Sequence, residues 1–236
     1  MTKAGFIGLA GRPNVGKSTL VNAIVGAKVA IVSDRPQTTR RASRGVATDV
    51  AEGWQLVLVD LPGVQRPRDV LTERMQRRVE HELEVVDEVF PVSARRGTGV
   101  GPLTDRLAEL MPEGPLLYPP EDRTDQPSEV HLAELIREQV LRRTREELPH
   151  AVEVAVEELV EREDGLVEVR AQVWAETDSQ KAILIGKGGR MIRDIGTAAR
   201  KELERELDAR VFLDLNVRVR ERWRRDEGLL DRLGID

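Results

Sequence analysis

An α/β fold in two parts is predicted by three observations. A strand, a glycine loop and a helix follow one another near the N-terminus. A Pro- and acid-rich break, PEGPLLYPPEDRTDQP, interrupts all periodicity at residues 112–127. Beyond it the elements run α-β-β-α-α-β. Short strands alternating with helices give the first part a sheet of parallel character, and the second order gives a three-stranded sheet with helices on one face.

The first strand covers Gly5 to Ala10, and the helix after it covers Lys17 to Val25. Between them GRPNVGKS matches GxxxxGK[ST], the pattern of a phosphate-binding loop. Glycines at 11 and 16 let backbone N–H groups wrap a polyphosphate, the helix start adds positive potential, and Lys17 is a point charge for the outer phosphates. Gly11, Asn14, Val15, Gly16, Lys17, Ser18 and Thr19 are therefore candidate nucleotide contacts, with the Ser18 hydroxyl directed to Mg²⁺. Away from a strand and a helix, the same letters would be a glycine-rich turn with a chance Lys-Ser.

A polar loop, SDRPQTTRR, comes next. A hydroxyl of Thr38 or Thr39 there can complete a metal shell and order the loop, although a double Thr in a polar loop is unremarkable by itself. Two further strands follow, the second an apolar run from Gln55 to Val59 that ends in DLPG. An Asp at a strand end, Asp60, suits a water-bridged Mg²⁺ contact, and the Gly63 N–H can sense the terminal phosphate. Alone, DxxG is more often a turn. Val64 comes after it, and an apolar side chain cannot orient an attacking water by hydrogen bonding. A helix is predicted from about Leu71, and the part closes with DEVFPVSARRG at 87–97.

Past the break, a helix is predicted over Ser128 to Glu147, with Leu132, Leu135, Ile136 and Val140 on one face. Val152, Val154 and Val156, then Val167, Val169, Ala171 and Val173, alternate as two strands joined near Gly165. A short helix precedes IGKGG, a longer one runs to about Leu207, and alternation from Val211 to Val219 marks a last strand. A GxxG loop between two helices brings bare backbone and a helix start against a sugar–phosphate strand, which is how a KH domain clamps about four nucleotides. GxxG alone is common in turns; the element order and the basic residues around it make the sign strong. The candidate RNA contacts are Lys181, Ile185, Gly186, Lys187, Gly188, Gly189, Arg190 and Arg193. Ile183, Ile185, Ile192 and Ile195 are divided between core and groove in a way the pattern leaves open. With 3% aromatic residues, recognition by aromatic stacking is not favoured.

Composition narrows the classes. A chain of 236 residues has room for about two domains, and 40% hydrophobic with 33% charged residues suits a soluble globular protein. No signal pattern and no long apolar run occur, so a cytoplasmic protein is expected. The absence of Cys excludes disulfides, thiolate zinc sites and Cys nucleophiles, and His81, His131 and His150 match no ligand spacing. The net charge of −5 conceals an asymmetry: six bases lie between Lys181 and Lys201 against Asp194 alone, while 146–168 holds nine acids against Arg162. Such sorting gives either one attractive face or ordinary solvated helices.

Taken together, GRPNVGKS, PQTTR, DLPG, VSA, the YPPEDRTD stretch and IGKGG resemble the Era family of bacterial GTPases over nearly the whole chain. The resemblance implies a Ras-like P-loop G domain over residues 1–111, a linker over 112–127, and a type II KH domain with a C-terminal tail over 128–236. It further implies GTP hydrolysis to GDP and phosphate, binding of the 3′ end of 16S ribosomal RNA, and a role in assembling the 30S subunit. In this frame Thr39, rather than Thr38, joins Ser18 and Asp60 at Mg²⁺; Ser93 and Ala94 contact the guanine carbonyl; Lys17, Asn14 and Thr39 serve catalysis; and Asn14 points to K⁺ as an accessory ion. A cytoplasmic monomer is implied, with peripheral association with the inner membrane left open.

One part of the family pattern is missing. The N-K-x-D motif that reads guanine occurs nowhere in the chain. Between DLPG and VSA there is room for one helix and a short strand, whereas each βα unit takes about thirty residues. The G domain is therefore expected to be truncated, with an exposed apolar surface and unpaired strand edges. Val89 to Val92 is the segment that could fill part of the gap. Two readings stand: a GTPase with relaxed base selection, or a non-enzymatic RNA-binding protein with a degenerate nucleotide domain.

Overall fold

The computed structural model describes residues 2–33, 43–61, 88–144, 148–221, 223, 226, 228 and 229. The chain divides into two compact units, Met1–Asp125 and Gln126–Asp236.

In the first unit, β1 (Lys3–Leu9), α1 (Lys17–Val25), β2 (Ser43–Asp49), β3 (Trp54–Asp60) and α2 (Val100–Leu110) are described. The strands lie in the order β1-β3-β2. β1 runs parallel to β3 with Leu9 opposite Asp60, and β2 runs antiparallel to it with Ser43 opposite the same Asp60. The central β3 is apolar almost throughout, as befits a strand covered on both faces. Val21 and Val25 of α1 and Ala108 of α2 close over Leu56 and Leu58 to make the core. Gly45 explains how closely α1 approaches: a Cβ there would lie 2.8–2.9 Å from the methyls of Val21, Val25 and Val29.

β1 is an edge strand of the described sheet. Beyond Ala4, its far edge pairs with no strand among the described residues, and Phe6 is 57% exposed. Val89 to Val92 does not fill this place. Val89 is 83% exposed, and Val92 leads into a turn closed by Ser93 N–H on the Thr98 carbonyl at 2.8 Å. Pro91 explains part of this, since proline lacks the N–H that a ladder needs. Gly99 then turns the chain into α2 at φ 74°, where a Cβ would stand 2.4 Å from the Pro91 carbonyl. The predicted helix near Leu71 lies outside the described residues.

The Pro-rich segment, read from composition as a linker, belongs to the first unit as far as Asp125. Gln55, fully buried in β3, holds it. Its Oε1 accepts the N–H groups of Leu117 and Tyr118 at 2.7 and 3.0 Å, and its Nε2 donates to the Tyr118 carbonyl at 2.9 Å. Val46 N–H donates to the Arg123 carbonyl at 2.8 Å, and Arg44 pairs with Asp125 at 2.7 Å. Burial and the bond to Asp125 raise the Tyr118 phenol above its ordinary range.

The second unit contains α3 (Ser128–Arg143), α4 (Leu148–Ala151), β4 (Glu153–Glu161), β5 (Leu166–Ala175), α5 (Asp178–Ile185), α6 (Arg190–Leu207) and β6 (Arg210–Val219). Its sheet order is β4-β5-β6, antiparallel then parallel. The alternating residues Val167, Val169, Ala171 and Val173 face a core completed by Leu132, Leu135 and Ile136 of α3 and Ile195, Ala199 and Leu203 of α6. α3 also buries Arg137 completely. Its guanidinium holds Glu134 at 2.7 and 2.9 Å and lies 3.9 Å from the equally buried Glu153. On the other face Trp174, Trp223 and Leu229 cluster, and the Arg220 guanidinium stacks 4.4 Å from the Trp174 ring. Among the described residues no helix is long and apolar enough to cross a membrane.

Candidate nucleotide and RNA sites

β1 delivers the chain to the phosphate loop, and α1 leaves from it. Gly11, Asn14 and Gly16 take positive φ values of 151°, 60° and 99°, conformations in which a loop can turn successive N–H groups toward one centre. Gly16 caps α1 and brings no side-chain acceptor to the first helical N–H groups. The Lys17 ammonium lies back on the loop, donating to the carbonyls of Gly11 and Arg12 at 3.1 Å each. Ser18 Oγ donates to Asp60 Oδ2 at 2.5 Å. The first turn of α1 is thereby joined to the end of β3, and Asp60 is fully buried.

A cavity of about 550 Å³ opens beside this loop, within the range of small-molecule sites. Val15, Gly16, Lys17 and Thr19 line one side, and Val92, Ser93, Ala94 and Arg95 the other. The shortened chain thus still carries the Ser-Ala turn to the phosphate loop. In that turn the carbonyls of Ser93 and Ala94 accept the N–H groups of Arg96 and Gly97 at 3.0 and 3.4 Å. The N–H groups of Ala94 and Arg95 have no partner among the described residues. Gly11, Asn14, Val15, Gly16, Lys17, Ser18, Thr19, Asp60, Ser93 and Ala94 therefore share one end of the unit. Thr38, Thr39, Gly63 and Val64 lie outside the described residues.

In the second unit, Thr177 caps α5 by accepting the Gln180 N–H at 3.2 Å. The helix stops at Gly186, whose φ of 70° and ψ of 173° suit glycine. A Cβ there would sit 2.8 Å from Met191 Cβ. Gly188 and Gly189 also have positive φ, 62° and 74°, and Gly189 starts α6 without a side-chain cap. Lys187, Gly188, Arg190 and Arg193 are exposed, while Lys181 and Ile185 are half-buried at the loop's approach. The isoleucines now separate: Ile195 is core, Ile183 is 53% exposed, and Ile185 and Ile192 are intermediate.

Two residues escaped the sequence reading. Arg95, which follows VSA in the sequence, lines the cavity. Ser43 was hidden in a polar stretch. Its signal was a period of two from Ala47 through Gly45, which places it on the α1 side of the sheet.

Comparison with known proteins agrees with both halves. The family model described as 50S ribosome-binding GTPase matches residues 6–117, and the KH domain model matches residues 147–224. GTPase Era of Mycobacterium tuberculosis is 40% identical over 297 aligned positions, covering 98% of each chain. GTPase Era of Mycolicibacterium smegmatis is 38% identical, covering 99% of each. The 297 positions exceed this chain's 236 residues by 61, so at least that many positions of the relative face a gap here. Among solved structures, a variant of Aquifex aeolicus Era bound to GDP and AlF₄⁻ superposes with a TM-score of 0.89 at 25% identity, covering 99% of each chain. Era in complex with MgGDPNP and nucleotides 1506–1542 of 16S ribosomal RNA gives a TM-score of 0.88 at 26% identity, covering 100% of this chain and 99% of the other.

Proposed function

The chain belongs to the Era family of GTPases, and on that premise we propose that it binds GTP through the Gly11–Ser18 loop, hydrolyses it, and uses the Gly186–Gly189 loop to bind the 3′ end of 16S ribosomal RNA during assembly of the 30S subunit. One observation carries the nucleotide half. Despite the shortened chain, the phosphate loop and the Ser93–Ala94 turn still line one cavity, and Ser18 at the start of α1 is joined to Asp60 at the end of β3.

The residues present fit a magnesium nucleotide. Ser18 and Asp60 offer hard oxygen donors already 2.5 Å apart, the ligand type Mg²⁺ takes, and Thr39 is the third residue assigned to the ion. When bound, the ion neutralises charge on the phosphate oxygens. Lys17 exchanges two loop carbonyls for phosphate oxygens, and the N–H groups at the start of α1 hold the charge that shifts as a water oxygen replaces the β–γ bridging oxygen on phosphorus. Val64 supplies no hydrogen bond to that water. Backbone groups, and K⁺ beside Asn14, are left to assist; equal hydrolysis rates in NaCl and KCl would remove the potassium role.

RNA binding rests on the Gly186–Gly189 loop, whose Lys187 and Gly188 are exposed, with Arg190 and Arg193 beside it. The Era that superposes on this chain is itself bound to 16S ribosomal RNA.

A second reading, an RNA-binding protein without nucleotide chemistry, is favoured by the missing N-K-x-D and the gap of at least 61 positions. Titration of mant-GTP and mant-ATP, with Lys17→Ala as control, separates the two. Mg²⁺-dependent binding that Lys17→Ala abolishes supports the enzyme; no nucleotide binding with RNA affinity intact supports the second reading.

A further inference from the structure

The side chains that β2 turns toward α1 change character along the strand. Ala47 belongs to the apolar core, and Gly45 lies beneath Val21, Val25 and Val29. The next residue on that face is Ser43, at the strand's end and only 6% exposed. Its partner across the ladder is Asp60. Directly opposed residues of an antiparallel pair project to the same side, with Cβ atoms about 5 Å apart. Ser43 therefore faces the space occupied by the carboxylate that takes the Ser18 hydroxyl.

Yet the Ser43 hydroxyl has no hydrogen-bond partner among the described residues. A buried hydroxyl left unsatisfied is a net cost, and such groups are uncommon in native structures. Alanine would pack the same space without that cost. A hydroxyl here is accounted for by a polar group the chain does not itself supply, and the neighbouring residues say which. Ser18 and Asp60 form an oxygen-rich corner suited to a hydrated divalent cation, and Mg²⁺ usually keeps several of its waters.

We propose that Ser43 is a positioning residue of the magnesium site, holding with Asp60 a water molecule of the ion's shell. The inference rests on the reading that this site takes a magnesium nucleotide. Ser43 acts through water and carboxylate and touches no reacting atom. Groups of this kind fix the orientation of the ligands they support, and removing one weakens metal affinity by about 10-fold or more.

The test is the Mg²⁺ dependence of mant-GDP release, measured by stopped flow at Mg²⁺ concentrations from micromolar to tens of millimolar. For Ser43→Ala, the Mg²⁺ concentration at half-maximal retention should rise about 10-fold, and Ser43→Thr, which restores a hydroxyl, should return most of it. Urea unfolding of the nucleotide-free protein supplies a second readout: Ser43→Ala should be as stable as the natural chain or more so, because an unsatisfied group has been removed. An unmoved Mg²⁺ midpoint in Ser43→Ala overturns the proposal while leaving nucleotide binding standing. So does a shift that Ser43→Thr fails to reverse. If the natural chain retains no mant-GDP at any Mg²⁺ concentration, the nucleotide reading fails and takes this inference with it.

Discussion

Replacing guanine by hypoxanthine removes one group, the 2-amino, and the structure says how much that should matter. A carboxylate that accepts from the base gains about 1.5–3 kcal/mol per charged hydrogen bond, so a site containing one would favour GTP over ITP by roughly 10- to 150-fold. The N-K-x-D motif that would bring such a carboxylate is absent. At the Ser93–Arg95 wall of the cavity, the backbone N–H groups left open among the described residues are those of Ala94 and Arg95, the carbonyls of Ser93 and Ala94 are engaged inside the turn, and no carboxylate stands there. Donors of this kind meet the 6-oxo group that GTP and ITP share. They do not meet the 6-amino group of ATP. GTP and ITP should therefore bind within about twofold of each other, and ATP about three- to tenfold more weakly, the worth of one neutral hydrogen bond. Competition of each triphosphate against mant-GDP at saturating Mg²⁺ measures all three. A preference for GTP over ITP of about tenfold or more would refute the reasoning, because it would require an acceptor for the 2-amino group.

Three further outcomes are expected. Replacing Lys187 and Gly188 together by Asp places two carboxylates at the exposed loop and should abolish binding to a short single-stranded RNA, with the circular dichroism spectrum unchanged; undiminished affinity in an anisotropy titration would move the RNA site elsewhere. Arg137→Met leaves the buried Glu153 and the half-buried Glu134 without their guanidinium, and should lower the stability of the second unit by about 3–5 kcal/mol in urea unfolding; a loss below about 1 kcal/mol would mean the ion pair is dispensable. Gln55→Leu removes the carboxamide that holds the Leu117–Tyr118 backbone, a cost of about 1–3 kcal/mol for these part-buried hydrogen bonds, and should make the 112–125 stretch the first site of limited proteolysis.

How much could be read in advance differs between the two units. The second was legible because its strands alternate, save for a bulge between Val156 and Glu158 in β4, and its helices carry a regular apolar face, so local pattern and tertiary packing largely agree from Leu132 to Val217. The phosphate loop was legible because strand, glycine pattern and helix lie next to one another in sequence. The course of 112–125 was hidden for a physical reason: proline and acid read as a linker, and what binds the segment is a glutamine inside an apolar strand, helped by backbone and ion-pair contacts from β2, none of which composition records. The run Val89 to Val92 misled in the opposite direction, its apolar residues suggesting a strand where Pro91 and the turn at Gly99 prevent one. The period of two marks the face on which Ser43 lies, but its place opposite Asp60, like the approach of Arg95 to the phosphate loop, depends on register and chain reversal, which bring sequence-distant residues together. The isoleucines around the IGKGG loop needed the helix orientation before Ile195 could be assigned to the core and Ile183 to the surface.

The central claim is that two glycine turns in one chain each grip an anion with bare main-chain N–H groups at a helix start. Amide chemical shifts of the ¹⁵N-labelled protein test this most directly. Adding magnesium GTP should move the resonances of Gly16, Lys17 and Ser18 and leave Gly186 to Arg190 in place, and adding a single-stranded RNA should do the reverse. Perturbations confined to other segments, or none at either loop at saturating ligand, would contradict it.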